Sequence, residues 1–131
     1  MSQENVLIMR AALEAFGRND VSGFLRLMDP EVEFEPQLAA VEGTYVGHDG
    51  VRAFFTDAFE NLEVVQLRDD DMRDLGNRVL ALVTARIGGK GSGIETETSL
   101  AMVATFRDGR IVHLKDYGEK DAAVEAVGLS E

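Results

Sequence analysis

The apolar periodicity of this chain changes near residue 62, and that change limits what it can fold into. Before it, apart from one short alternating stretch, hydrophobic side chains recur every three or four positions; from there to about residue 117 they recur every second position. Val6, Met9, Leu13 and Phe16 form a helical stripe running to about Gly17, with Ser2 as candidate N-cap and Asn5 as an imperfect capping-box partner. Asp20 can cap a short second helix carrying Phe24, Leu25, Leu27 and Met28. Asp29-Pro30 should end it, because the residue before a proline is pushed out of helical geometry. Glu31 to Glu35 alternates as a short strand with Val32 and Phe34 on one face, and residues 37–47 read as a loop. A third helix is expected just after Gly47, with Asp49 in its first turn and an apolar stripe of Val51, Phe54, Phe55, Ala58, Phe59 and Leu62.

Four β segments follow, at about 63–73, 78–88, 94–107 and 110–117. Gly76-Asn77, the glycine-rich stretch 88–93 and Asp108-Gly109 separate them, and Asp-Gly between alternating runs is the strongest hairpin signal in the chain. Glu119 to Val127 reads as a closing helix with Gly128 as its C′ residue. Helices bunched before a run of strands predict an α+β fold. The expected architecture is a strongly bent antiparallel sheet wrapping the N-terminal helices, with a short C-terminal helix, as one domain over residues 1–131. Such a sheet leaves room for a pocket whose walls are inward strand residues and the buried helix stripe.

Charge and composition remove whole classes of function. Thirteen Lys and Arg against 24 Asp and Glu give a net charge of −11, which disfavours phosphate backbones and anionic lipid. No cysteine is present, so disulfides, thiolate metal sites and cysteine nucleophiles are excluded. No apolar run approaches the ~20 residues of a membrane span. The opening Met1-Ser2-Gln3-Glu4-Asn5 lacks a basic n-region, so a cytoplasmic location is expected.

The polar motifs are mostly incomplete. The 88–93 glycines lack the G-K-[ST] ending of a phosphate loop and lie between strands, as a hairpin loop does. Asp69-Asp70-Asp71 and Asp74 lack the spacing of an EF-hand and read as a solvated acidic edge. No metal is called for. Arg86 reads as part of a charged outer sheet face. His113 shares a strand face with Ile111, Lys115 and Tyr117, whereas Val112, Leu114 and Asp116 share the other, inward one. Asp116 therefore ends an apolar row, where desolvation would raise its pKa toward the range of a general base. Its alternative is a wet strand end and a simple ion pair. Glu35 is a second candidate carboxylate at the pocket rim, or an outward edge residue opposite Val32 and Phe34. His48 opens the third helix, and Tyr45 can offer a phenolic donor.

The segments Gly43-Thr44-Tyr45-Val46-Gly47-His48-Asp49-Gly50-Val51-Arg52-Ala53-Phe54-Phe55 and Asp108-Gly109-Arg110-Ile111-Val112-His113-Leu114-Lys115-Asp116-Tyr117, with Gly128-Leu129, resemble the SnoaL-like branch of the nuclear-transport-factor-2-like (NTF2-like) superfamily. The resemblance implies a cone around an apolar pocket, and homodimers paired through the sheet, here through outward residues such as Leu80 and Leu82. In SnoaL-type cyclases an aspartate on the last strand is the acid or base, the position of Asp116; Leu114 stands where a histidine often precedes it. Limonene-epoxide hydrolase adds an Arg and an Asp where this chain has Val83 and Ala85. Ketosteroid isomerase has an Asp-Pro base resembling Glu35-Pro36, but its oxyanion donors align with Ala12 and Met102. Each of these sites is present only in part.

Two functions follow. One is an isomerase-, cyclase- or hydrolase-type enzyme on a small, largely apolar substrate, with Asp116, Glu35 and His48 as catalytic candidates. Tyr45, Phe55, Val83, Ala85, Met102 and Leu114 would line its pocket, with no cofactor. The other is a non-catalytic domain that binds a small apolar ligand or a second copy of itself.

Overall fold

The computed structural model describes residues 2–37 and 43–128. Helix α1 (Ser2–Gly17) and the short α2 (Val21–Leu25) lead into strand β1 (Met28–Glu35). A two-residue strand β2 (Tyr45–Val46) and helix α3 (Gly47–Phe59) precede β3 (Leu62–Asp74), β4 (Arg78–Gly89), β5 (Glu95–Arg107) and β6 (Arg110–Asp116), and α4 (Lys120–Ala126) closes the order. The strands form one sheet in the order β2-β1-β6-β5-β4-β3, antiparallel except where β1 runs parallel to β6.

Local chemistry explains most of these boundaries. Asp20 caps α2 by accepting the Gly23 N–H at 3.0 Å. The Asp108-Gly109 turn holds both residues at positive φ, 53° and 77°, the geometry that lets a two-residue connection follow the twist of its strands. Asn5 does not complete a capping box; its Nδ2 donates to the Gly76 carbonyl at 3.0 Å, tying α1 to the β3–β4 turn. The side chain of Ser2 and residue Leu129 lie outside the described residues.

Four expectations need correction. Strand β1 starts at Met28 and runs through Asp29-Pro30, instead of starting after the proline. Its ladder with β6 shifts register between Met28 and Glu33, so the missing proline N–H costs no regular bond. Tyr45 and Val46 are not loop residues but pair with Phe34 and Glu33 of β1, a strand too short to show a period. In β6 the register slips between the pairs Thr105–His113 and Phe106–Ile111, making Val112 a bulge residue. Ile111 is thereby buried alongside Leu114, and Val112 is only half-buried, the reverse of simple alternation. Finally, Leu80 is unavailable as a subunit interface, because Ala123 and Val124 of the chain's own α4 cover it, with Ala101 and Val103, on the outer sheet face.

The main core lies on the other, inner face. Phe16, Phe24, Phe34, Phe54, Phe55 and Phe59 meet there in mostly tilted or edge-on pairs with centroids 4.8–6.5 Å apart. Such pairs contribute roughly 0.5–1.5 kcal/mol each beyond their buried area. Val79, Ala81, Val83, Ala85, Met102, Ala104 and Leu114 back this aromatic layer. Among the described residues no helix is long and apolar enough to cross a membrane.

Candidate functional site

Two carboxylates end neighbouring strands, one on each face of the sheet. Asp116, the last residue of β6, pairs with Met102 and shares the inner face with Leu114. It is 3% exposed and is the charged residue buried in the core among the described residues. Its Oδ1 accepts the Ala101 N–H at 3.1 Å and the Gly118 N–H at 2.9 Å, and the Gln37 N–H also bonds to the carboxylate. Burial pushes its pKa up, and these backbone donors offset part of that rise. The strand ends here, so the side chain supplies the acceptor that a further backbone carbonyl would have supplied. Gly118 makes this turn at φ +77°, and a Cβ there would lie 2.7 Å from Gln37 Oε1.

Glu35 ends β1 one strand away and points to the outer face, where its register partner is Lys115. Its Oε2 lies 2.6 Å from His113 Nε2 and its Oε1 lies 3.7 Å from Lys115 Nζ. The hydrogen bond from His113 is the main reason its pKa is held down. Lys115 in turn stands over the Tyr117 ring, 4.8 Å from its centroid. Glu35 and Asp116 therefore do not converge, and His113 is outward, as is Arg86, which reaches Gln66 and Glu95.

His48 donates from Nε2 to the Met28 carbonyl at 3.1 Å, pinning the start of α3 to β1. Tyr45 is half-buried, with its ring edge-on to Phe54 at 5.7 Å. Phe55 lies inside the aromatic layer. Ala85, Met102 and Leu114 are covered by protein atoms in the core, Ala85 at 0% and Leu114 at 1% exposure.

Of the expected pocket residues, Val83 and Phe55 reach surface clefts. Phe55 and Phe59 floor a shallow groove of about 430 Å³ beside α3. Val83 contributes to a cleft of about 400 Å³ between α1 and β3, with Leu13, Val64 and Leu67 as further apolar walls. Arg10, Glu14, Arg18, Gln66 and Asp69 rim it, and Arg10 Nε pairs with Asp69 Oδ2 at 3.3 Å. Sequence reading missed this cleft. Its one signal was a second α1 face, Arg10, Leu13, Glu14 and Gly17, at helical spacing beside the core stripe. Among the described residues no three His, Asp or Glu side chains stand close enough together to hold a metal ion.

The sheet, helix order and inner aromatic layer define an NTF2-like α+β protein, and solved structures share this fold. An NTF2-like protein of unknown function from Burkholderia pseudomallei superposes with TM-score 0.76 at 25% identity, covering 95% of this chain and 98% of that one. TerC, co-crystallised with polyporic acid, gives TM-score 0.72 at 23% identity over 95% of this chain and 98% of its own. A protein of ketosteroid isomerase-like fold from Catenulispora acidiphila, in complex with trimethylamine, gives 0.75 at 16% identity over 94% and 93%. No curated protein matches the sequence. The SnoaL-like domain family matches residues 9–114, and the chain belongs to it.

Proposed function

We propose that this chain is a small-molecule-binding SnoaL-like domain and not an acid–base enzyme, with the α1–β3 cleft and its Val83 floor as the site. The observation that carries this reading is the state of Asp116. Among the described residues the one carboxylate on the apolar inner wall is committed to backbone N–H donors, and Glu35, its expected partner, faces the other way. An apolar wall without a convergent pair of polar side chains suits binding better than proton transfer. In this reading Val83 meets the ligand together with Leu13, Val64 and Leu67; Ala85, Met102 and Leu114 pack behind it as core that the ligand does not touch, and Asp116 fixes the end of β6. The small molecules held by TerC and by the Catenulispora protein support it at the level of the fold alone.

The test is titration with a neutral apolar fluorophore, N-phenyl-1-naphthylamine. Saturable one-to-one binding is expected, unchanged in Asp116→Asn. A Cβ added at Gly17 would lie 3.2 Å from Leu67 Cδ1, at the end of a flexible side chain in the cleft, so Gly17→Leu should fill it and weaken binding at least tenfold while circular dichroism stays native. Absence of saturable binding, or binding indifferent to Gly17→Leu, overturns the reading.

A second reading, proton transfer by Asp116 on an apolar substrate, draws on its burial and raised pKa. Its mark is turnover that Asp116→Asn abolishes while binding persists.

A further inference from the structure

The rim of the α1–β3 cleft is unevenly supplied with hydrogen-bonding groups, and the imbalance selects among apolar ligands. Its acceptors are largely spoken for. Asp69 Oδ2 takes Arg10 Nε at 3.3 Å, and Gln66 Oε1 takes Arg86 Nη2 at 2.8 Å. Fixing the Gln66 amide by its oxygen leaves the Nε2 donors over. The donors are in surplus: Arg10 has used only Nε, and the Arg18 guanidinium has no partner among the described residues. Of the two carboxylates described on the rim, Glu14 is the uncommitted one, a single turn before Arg18.

We infer that the ligand of this cleft is an apolar molecule ending in a carboxylate, its chain on Leu13 and Leu67 and its head group on Arg18; this rests on the binding reading above. A guanidinium presents a planar fork that matches a carboxylate with two parallel hydrogen bonds, which a lysine or amide does not. A volume of about 400 Å³ falls at the low end of small-molecule sites, the size for a medium-length chain or one substituted ring. The chain's net charge of −11 opposes an anion at long range, but charges beyond roughly 8 Å are screened at physiological salt, whereas Arg18 acts at contact. Glu14 is the local opponent, and its removal has a predictable sign.

Three ten-carbon probes, decanoate, decanol and decylamine, separate the terms when titrated calorimetrically below their micelle concentrations. Decanoate should bind the native chain about tenfold more tightly than decanol, with decylamine weakest. Arg18→Gln lies on the exposed surface and should erase the preference for decanoate while leaving decanol affinity unchanged. Glu14→Gln should strengthen decanoate severalfold and leave decanol alone. Backbone amide shifts in each titration should concentrate at Gly17 and Leu67. Decanol binding as tightly as decanoate, a preference that survives Arg18→Gln, or shifts lying elsewhere overturns the inference while the binding reading stands. Failure of all three probes to bind overturns both.

Discussion

Glu35 and Asp116 end two adjacent strands, and their environments differ in every respect that matters to a carboxylate. Glu35 looks outward, is about a third exposed, and meets an imidazole and an ammonium. Asp116 looks inward, is buried, and meets only backbone N–H groups among the contacts described above. The first is stabilised as an anion by neighbouring side chains; the second is a strand cap that carries its charge at a cost. What separates them is one step in the pleat, since Glu35 pairs with Lys115 and Asp116 is the next residue along. A carboxylate's place at the end of a strand therefore says little about its chemistry until its face is known.

The largest break in that comparison should come from deleting the cap. Asp116→Ala leaves the buried Ala101 N–H and the partly buried Gly118 N–H without an acceptor, which costs about 2–4 kcal/mol, read as a lower urea midpoint. Asp116→Asn keeps an Oδ1 for both donors and removes the buried charge, so it should stay within about 1 kcal/mol of the parent. If the asparagine variant falls as far as the alanine one, the charge itself holds the turn and the cap assignment fails.

Gly118 sharpens the same point with a smaller effect. A side chain at φ +77° costs about 1–2 kcal/mol, and here the new Cβ must also displace Gln37 Oε1. Gly109 shares that φ but has nothing within 4 Å of its Cβ position, so Gly109→Ala measures the conformational cost alone. Gly118→Ala should exceed it in thermal denaturation. Equal losses would mean that Gln37 yields freely and lends the cap no support.

How much of this was legible in the sequence depends on how local each determinant is. The switch of period, the Asp20 cap and the Asp108-Gly109 turn act within a few residues, and each stands where the pattern put it. The extra residues at Val65, Asp70 and Val112 are set by ladder register, which no alternation records; one of them moved Ile111 to the opposite face. The inward side of Asp116 was readable from Leu114 two positions earlier. Its partners were not, because they are backbone groups of Gln37 and Ala101, distant in sequence. The Glu35–His113 pair spans 78 positions along the chain, and the α1–β3 cleft exists only once a helix and an edge strand are laid side by side.

The smallest expected effect carries the sharpest sign. Glu35 has a folded-state pKa below its unfolded one, so it adds stability above the unfolded value, near 4.5, and that contribution is lost as pH falls through the lowered folded value. Asp116 has its folded pKa raised, so its ionisation penalises the fold above that raised value, and the penalty fades as pH falls through it and is gone below the unfolded value, near 3.8. Urea unfolding from about pH 7 to pH 3 should therefore show two opposite trends. The parent's advantage over Glu35→Gln, no more than about 1 kcal/mol for so exposed a pair, should shrink on acidification. Relative to Asp116→Asn, the parent should gain over the same range. Added salt should flatten the first trend by screening His113 and Lys115, and leave the second, which arises from desolvation, nearly unchanged. Parallel trends for the two variants would mean that both carboxylates sit in one kind of environment, and the contrast between the two faces would collapse.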